Sequence, residues 1–120
     1  MQLKPMRLFT PAKINTILQI LSKRDDGFHE IFTHMVPISF FDELTLQEHS
    51  MKHFSFRCNL RELEGPENLV WRALKLFEEA SGRTVRLIIH LQKRIPTGGG
   101  LGGGSGNAAA TLLALNRWYD

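Results

Sequence analysis

A short segment very rich in glycine, residues 98–106, limits the possible folds more than any other feature of the sequence. Seven of its nine residues are glycine. It follows an alternating apolar run at 85–91, which predicts a strand, and precedes an alanine- and leucine-rich run at 108–118, which predicts a helix. Glycines permit positive φ and let a phosphate approach backbone amides, and the start of a helix favours an anion. The sequence therefore predicts a phosphate-binding loop, with a flexible tether as the alternative.

Two better-known phosphate-binding loops fit this segment poorly. A Walker loop ends in Gly-Lys-Ser or Gly-Lys-Thr, and no lysine lies between Gly98 and Asn107. Gly98, Gly100 and Gly103 have the spacing of a dinucleotide-binding fingerprint, but so glycine-rich a segment matches almost any glycine pattern. That fingerprint also opens a β-α-β unit, whereas several strands are predicted before this one.

The rest of the chain predicts several strands before a helix, an order typical of an α+β fold with a mixed sheet. Branched or alternating apolar residues predict strands at 14–21, 29–40, 43–47, 54–56 and 85–91, with a turn at Lys23–Gly27. Residues 66–81 have apolar side chains at helical spacing, with Pro66 in the first turn and Gly82 as the stop.

Composition agrees with one ordinary globular domain and argues against several classes of protein. A chain of 120 residues holds one domain at most. Its net charge of +3 suits an anionic ligand, but the basic residues are scattered, so no nucleic-acid groove is predicted. The apolar stretches are too short to span a membrane. Cys58 is the only cysteine, so no internal disulfide can form, and the absence of a secretory signal or transit peptide favours a bacterial cytoplasm over a plastid.

Five ordered segments resemble one known family of small-molecule kinases. Pro-x-Gly-x-Gly-Leu-Gly-Gly-Gly-Ser, starting at Pro96 and followed by Ala-Ala, resembles the second motif of the GHMP kinases. Pro11–Asn15 is similar to their first motif, and Asp26–Glu30, Glu67–Val70 and Lys93–Pro96 match one branch of the family at the expected places. The resemblance implies that residues 1–120 form an amino-terminal GHMP kinase domain, similar in fold to domain 2 of ribosomal protein S5.

The same resemblance implies ATP on the glycine loop and a catalytic role for Lys13, near the attacking hydroxyl and the transferred phosphate. Asn68 and Lys93 resemble positions at the adenine end. Taken alone, Lys13 would be a surface lysine, Asn68 a helix-start residue and Lys93 a solvated strand end. The full predicted ATP-binding set is Asn68, Lys93, Pro96, Thr97, Gly98, Gly99, Gly100, Leu101, Gly102, Gly103, Gly104, Ser105 and Gly106.

Ser105 is also the candidate ligand for the Mg²⁺ that accompanies ATP. Its hydroxyl could reach phosphate-bound Mg²⁺ or cap the following helix. The family normally has a second serine next, and this chain has Gly106 there. His34, His49, His53 and His90 lack the spacing of metal ligands and are predicted to be structural or surface residues.

Asn15, Phe28 and His29 are the predicted substrate-binding residues. The branch that the chain resembles phosphorylates the 2-hydroxyl of 4-diphosphocytidyl-2-C-methyl-D-erythritol in the non-mevalonate (MEP) pathway to isoprenoids. Asn15 would bind on the substrate side, while Phe28 would stack on the cytosine and His29 would hydrogen-bond its edge. Phenylalanine replaces the family's more usual tyrosine at position 28, which keeps a stacking face and removes a hydroxyl.

The family's enzymes are more than twice as long as this chain. Their base, an aspartate, and a third glycine motif lie beyond the segment that residues 1–120 match, and Asp120 matches no motif. The expectation is an incomplete domain, inactive alone, whose partner is a carboxy-terminal half or a second copy. The alternatives are another GHMP kinase, such as homoserine or mevalonate kinase, a non-catalytic nucleotide-binding module, and, on fold analogy alone, an RNA-binding domain.

Overall fold

The computed structural model describes residues 4–98 and 100–120, so Gly99, predicted to bind ATP, lies outside the described residues. In chain order the elements are β1 (Met6–Lys23), β2 (His29–Glu48), β3 (Ser55–Cys58), a 3₁₀ turn (Arg61–Leu63), α1 (Leu69–Ser81), β4 (Leu87–Gln92) and α2 (Gly103–Trp118). The four strands and two helices of the described residues confirm the predicted α+β class.

The four strands form one mixed sheet in the order β1-β2-β4-β3. The β1–β2 and β2–β4 pairs are antiparallel, and the β3–β4 pair is parallel. The helices α1 and α2 pack against each other, and α2 also contacts β1 and β2. Alternate side chains of β2 and β4 meet the helices in a core of Leu44, Leu46, Phe56, Val70, Leu74, Val85, Leu87, Ile89, Leu91, Ala114 and Leu115.

Strand β2 is one continuous element, and the prediction of two strands at 29–40 and 43–47 was wrong. The sequence shows a break because a charged residue, Asp42, interrupts the apolar alternation. In the fold Asp42, Leu44 and Leu46 are all fully buried, so the period of two continues with Asp42 on the inward side. A buried carboxylate has taken a core position without ending the strand.

Both helices begin at places that differ from the prediction. The first starts at Leu69 and not at Pro66, because the side chain of Asn68 caps it by accepting a hydrogen bond from the amide of Val70 at 2.8 Å. The second starts at Gly103, five residues before the predicted start at Ala108. Glycine is a weak helix former, so propensity alone places these residues in the loop, whereas the structure uses them as the first turn.

The distal part of the β1–β2 hairpin, residues 14–36, projects from the body and is called the hairpin arm below. The long dimension of the molecule is 54 Å, against 32 and 28 Å in the other two directions. Among the described side chains of the arm, large apolar groups at least 40% exposed are Ile14, Ile20, Leu21, Phe28, Ile31, Phe32 and Met35. None of the helices within the described residues has the length and apolar character needed to cross a bilayer.

Candidate phosphate-binding site

The glycine segment forms a tight bend between β4 and α2. Gly98, Gly100 and Gly102 have φ of 76°, 71° and 73°, in the left-handed region that side-chain-bearing residues rarely adopt. Gly102 is the residue that caps the start of α2, and its carbonyl accepts the helical hydrogen bond from the amide of Gly106 at 3.0 Å. The glycines are therefore required by the backbone path, as expected for a built loop and not for a loose tether.

Lys13 lies directly against this loop, although almost ninety residues separate the two in sequence. Its backbone amide donates a hydrogen bond to the carbonyl of Leu101 at 2.9 Å. Its aliphatic stem crosses Gly102 so closely that a Cβ added there would come within 2.9 Å of Lys13 Cγ and collide with Lys13 Cε. Gly102 therefore has two reasons to be glycine, its positive φ and the passage of the lysine stem.

Two open hollows flank this point of contact. One, of about 220 Å³, lies over the loop. The other, of about 450 Å³, lies between the start of α2 and the base of the hairpin. The first is lined by Leu69, Pro96, Thr97, Gly98, Gly100, Leu101, Gly102, Gly103, Gly104 and Ser105, and the second by Pro11, Lys13, Met35, Pro37, Gly102, Ser105, Gly106 and Ala109.

The electrostatics of these hollows suit an anion. The first amides of a helix have no acceptor inside it, and those of α2 begin at Gly103 on the floor of the smaller hollow. The positive end of the helix dipole adds to the ammonium of Lys13 on the neighbouring side. Among the described residues that line the two hollows, none is an aspartate or a glutamate. A phosphate would therefore meet donors and positive charge from two sides.

Asn68 and Lys93, predicted at the adenine end, already have protein partners. The Asn68 amide donates to the carbonyl of Leu63 at 2.9 Å while its oxygen caps α1. The Lys93 side chain is only 4% exposed, and its ammonium donates to Asp42 at 2.6 Å and to Asn107 at 3.0 Å. Lys93 lies under Gly103 of the loop, and Asn68 precedes Leu69, which lines the smaller hollow. Contact of either residue with ATP stays a prediction.

Asp42 is the residue near the loop that sequence reasoning missed. Its Oδ1 accepts hydrogen bonds from the backbone amides of Arg94 at 2.6 Å and Ile95 at 2.8 Å. Burial by itself raises the pKa of this carboxyl, but the hydrogen bonds from Ile95, Lys93, Arg94 and Asn107 outweigh burial, so the pKa of Asp42 lies below its ordinary value. The signal that could have found it is its inward position in the alternation of β2.

The predicted substrate residues lie along the hairpin arm. Asn15 is two residues beyond Lys13 on β1 and is exposed. Lys13 pairs with Pro37, and Lys23 pairs with His29 near the tip. Ten residues of strand between Lys13 and Lys23 correspond to roughly 33 Å along the arm, less where two of the three register shifts of β1 bend it. Phe28, 72% exposed, is therefore held by the same hairpin as Lys13 but is not brought against the glycine loop.

A Mg²⁺ ion would find few protein ligands here. The described residues contain no group of three or more His, Cys, Asp or Glu side chains arranged to hold a metal. Ser105 is exposed in the first turn of α2 and lines both hollows, beside the space that a phosphate would fill. Since Mg²⁺ at phosphates keeps several waters and takes few protein ligands, one hydroxyl fits an ion held through the nucleotide.

The chain combines a mixed sheet, a glycine loop between a strand and a helix, and a lysine that crosses Gly102. These features are the fold and loop of a GHMP kinase amino-terminal domain. Residues 68–120 match the sequence family described as the GHMP kinases N terminal domain. That match contains the whole glycine loop and both helices. The chain is therefore similar to the amino-terminal part of GHMP kinases.

Within that class, two similar proteins have the same name. The chain is 44% identical over 113 residues to a 4-diphosphocytidyl-2-C-methyl-D-erythritol kinase of Sulfurihydrogenibium sp. (strain YO3AOP1), which covers 94% of this chain and 40% of the relative. The same kinase of Chlamydia muridarum (strain MoPn / Nigg) is 44% identical over 115 residues, covering 96% of this chain and 40% of the relative.

A solved structure gives the same result for the fold. The crystal structure of a 4-(cytidine 5'-diphospho)-2C-methyl-D-erythritol kinase superposes with a TM-score of 0.81 at 40% identity, covering 95% of this chain and 41% of that chain. The chain therefore spans about two fifths of the length of the relatives that it matches.

Proposed function

We propose that this chain forms the ATP-binding, amino-terminal part of a kinase that phosphorylates the 2-hydroxyl of 4-diphosphocytidyl-2-C-methyl-D-erythritol. One observation carries the proposal: the stem of Lys13 crosses Gly102 of the glycine loop, and its amide bonds to Leu101, so a cation and a phosphate cradle form one site. The similarity to kinases of that name supports the choice of substrate.

In this proposal the loop holds the phosphates of ATP by backbone donors. The glycines leave the amides at the start of α2 open to close approach. The helix dipole and Lys13 then offset the negative charge that the phosphates bring. Such positioning and charge stabilisation account for most of the catalysis of phosphoryl transfer, and both are properties that residues of this chain supply.

Lys13 acts on the phosphoryl group as it moves. Its amide is anchored on the loop, so the ammonium at the end of the stem is held near the junction of the two hollows. A fixed positive charge there interacts more strongly with the transition state than with the ground state, because negative charge on the transferred group is redistributed toward it. Ser105 would contribute one hydroxyl to a Mg²⁺ ion that neutralises part of the phosphate charge.

The acceptor is proposed to approach along the hairpin. Asn15 can both donate to and accept from a hydroxyl two residues from Lys13, and Phe28 offers an exposed aromatic face at the arm's tip for a base. Since the arm as described holds Phe28 and His29 away from the loop, the two ends of one substrate would be reached only with the arm bent toward α2. The three register shifts of β1 are the places where such bending is easiest.

The proton of the attacking hydroxyl needs an acceptor that the described hollows do not offer. The larger hollow has no acidic side chain among its described lining residues, and Asp42 is fully buried with both oxygens occupied. We propose that the base comes from the part of the relatives that this chain does not match. The polypeptide of residues 1–120 is therefore expected to show no turnover by itself.

The test joins residues 1–120 to the remaining part of a relative and compares Lys13→Met with the parent chimera. We expect kcat for the diphosphocytidyl substrate to fall about a thousandfold while ATP affinity changes little, since the charge is needed mainly during transfer. Lys75→Met, at an exposed position of α1 that lines neither hollow, is the matched control and should keep full activity. A Lys13→Met enzyme that loses less than about tenfold, or about 1.4 kcal/mol, would reject the catalytic assignment.

A substrate panel on the same chimera separates the alternatives. Preference for homoserine or mevalonate would identify another GHMP kinase. ATP binding without turnover of any of these substrates would identify a non-catalytic nucleotide-binding module.

A further inference from the structure

Beneath the glycine loop lies a buried cluster of four polar side chains, Thr10, Asp42, Lys93 and Asn107, called the Asp42 cluster below. All four are 7% exposed or less. Lys93 Nζ donates to Asp42 Oδ2 at 2.6 Å and to Asn107 Oδ1 at 3.0 Å. The Asn107 amide donates to Thr10 Oγ1 at 2.7 Å and to Asp42 Oδ2 at 3.1 Å. The polar groups of the cluster therefore bond mainly to one another.

The cluster joins the two ends of the loop. On the strand side, Asp42 Oδ1 holds the amides of Arg94 and Ile95, the residues just before Pro96. On the helix side, Asn107 bonds to the same carboxylate from the second turn of α2. One side chain of β2 thus sets the distance between the residue that enters the loop and the helix that leaves it.

Lys93 completes this arrangement from below the first helical turn. A Cβ added to Gly103 would lie 2.8 Å from Lys93 Nζ and 3.0 Å from Ile95 Cγ2, so the helix start rests directly on these two side chains. The ammonium is almost fully buried and donates hydrogen bonds to Asp42 and Asn107. It contacts the underside of the cradle, the side away from the phosphate hollow.

Stability alone does not account for such a cluster. A buried ion pair costs about as much in desolvation as it returns, and apolar residues of similar volume often replace one without loss. What apolar residues cannot replace is the acceptor for the Arg94 and Ile95 amides, which lie at the entrance to the loop. The specific contribution of the cluster is therefore the conformation of the loop.

We infer that Asp42, supported by Lys93 and Asn107, is a positioning residue that fixes the phosphate-binding shape of the glycine loop. The inference rests on the proposed function, since the loop must bind phosphate for its shape to matter. It also assigns Lys93 a role under the loop in place of direct contact with adenine. Removing the Asp42 acceptor should loosen residues 94–106 and weaken phosphate binding while the sheet and helices stay folded.

Two double variants differ only in that acceptor. Asp42→Asn with Lys93→Met removes both charges but keeps an oxygen for the two loop amides, and Asp42→Leu with Lys93→Met removes the oxygen as well. The probe is inorganic tripolyphosphate, which binds the cradle without any adenine contact, titrated into the 120-residue chain. The Leu variant should bind about tenfold more weakly than the Asn variant, the effect expected for loss of a buried acceptor. Both variants should still unfold in one cooperative transition, with the Leu variant somewhat less stable because two backbone amides lose their acceptor.

Amide hydrogen exchange gives a second readout, independent of any ligand. In the Leu variant, exchange at Arg94, Ile95 and Gly106 should speed up, while exchange in the core of β4 stays slow. Thr10→Val removes only the acceptor of Asn107 and keeps the charges, so it serves if the Leu variant does not fold. It should show the same pattern to a smaller extent.

Equal tripolyphosphate affinity and equal loop exchange in the Asn and Leu variants would overturn the inference, as would an unchanged loop in Thr10→Val when that variant is the one that folds. A wild-type chain that does not bind tripolyphosphate would instead count against the proposed phosphate site. In that case the exchange rates would still decide whether Asp42 shapes the loop.

Discussion

The body of the molecule and its hairpin arm share strands β1 and β2 but differ in how the side chains of these strands are buried. In the body, Asp42, Leu44 and Leu46 of β2 are fully buried and face the helices. In the arm, Ile31 and Phe32 of the same strand are more than half exposed. The body therefore holds its functional groups in fixed places, whereas most of the large apolar side chains described in the arm are exposed.

This difference matches a division of labour in the proposed reaction. The nucleotide side needs a rigid cradle, and the loop, Lys13 and Asp42 provide one through backbone and buried contacts. The acceptor side needs a surface that is completed by other groups, and the exposed arm has that character. Apolar surface of this extent is normally covered in a soluble protein. We expect the part of the relatives that this chain does not match to cover it.

The largest effect is expected from substitution of Gly102, which is in close contact with the Lys13 stem. In Gly102→Ala the new methyl group displaces the Lys13 stem and forces a residue with a Cβ to keep a φ of 73°, so ATP affinity should fall by at least about a hundredfold. Isothermal titration of the 120-residue chain with ATP measures the loss.

The control for Gly102→Ala is Gly82→Ala, at the end of α1. Gly82 also has a positive φ, of 70°, but a Cβ there meets nothing within 4 Å. Both variants should lose about 1 kcal/mol of stability from the strained backbone. Only Gly102→Ala should lose affinity for ATP. Equal ATP affinities in the two would show that the contact between Lys13 and the loop is irrelevant to binding.

A smaller effect, on the affinity for the substrate and not for ATP, is expected from a substitution in the arm. Phe28→Ala removes an exposed stacking face worth about 1–3 kcal/mol, so the chimera described above should bind the diphosphocytidyl substrate about ten- to a hundredfold more weakly. ATP affinity should not change, because the loop lies in the body. Phe32→Ala, another exposed phenylalanine of the arm, is the matched control and should leave both affinities intact.

Equal losses of affinity for substrate and for ATP in Phe28→Ala would contradict the separate roles of the two regions. Loss in Phe32→Ala as large as in Phe28→Ala would mean that the arm acts as an apolar surface and not through one aromatic ring.

The smallest effect concerns the pH dependence of the body. Because the pKa of Asp42 is lower in the folded chain than its ordinary value of 3.8, the ionised carboxylate stabilises the fold above that pH. The contribution is lost as the pH falls through the lower folded value, since protonation then breaks the bonds to Lys93 and the loop amides. Urea unfolding at neutral and strongly acid pH measures it.

The double variant Asp42→Asn with Lys93→Met has no carboxyl at this position and should lose less stability in acid than the wild type. An identical acid loss in the two proteins would show that the Asp42 carboxylate does not contribute to the pH dependence.

The sequence was informative where the chain follows local rules. The glycine loop, the strand before it and the helix ending at Gly82 have local signals of composition and period, and all three are present in the fold. That Lys13 and the loop belong to one site was predicted from motif resemblance alone. A contact between positions 13 and 102 produces no periodic pattern in the sequence.

Three features escaped prediction for identifiable reasons. Asp42 is charged, so its buried position in β2 looked like the end of a strand. The glycines of α2 have low helix propensity, so the first turn looked like loop. The exposure of the apolar side chains in the arm depends on whether another part of the protein covers them. The sequence pattern of residues 14–36 does not show this, because it resembles that of a buried sheet.

The most direct test of the account is an ATP titration of the isotope-labelled chain followed by amide chemical shifts. The central claim is that Lys13 and the glycine loop form one phosphate site in the body and that the tip of the arm, at Phe28 and His29, takes no part in it. The amides of Lys13 and of residues 102–105 should shift together with one affinity, while those of Phe28 and His29 stay unchanged. Shifts centred on the arm, or loop shifts without any at Lys13, would contradict the claim.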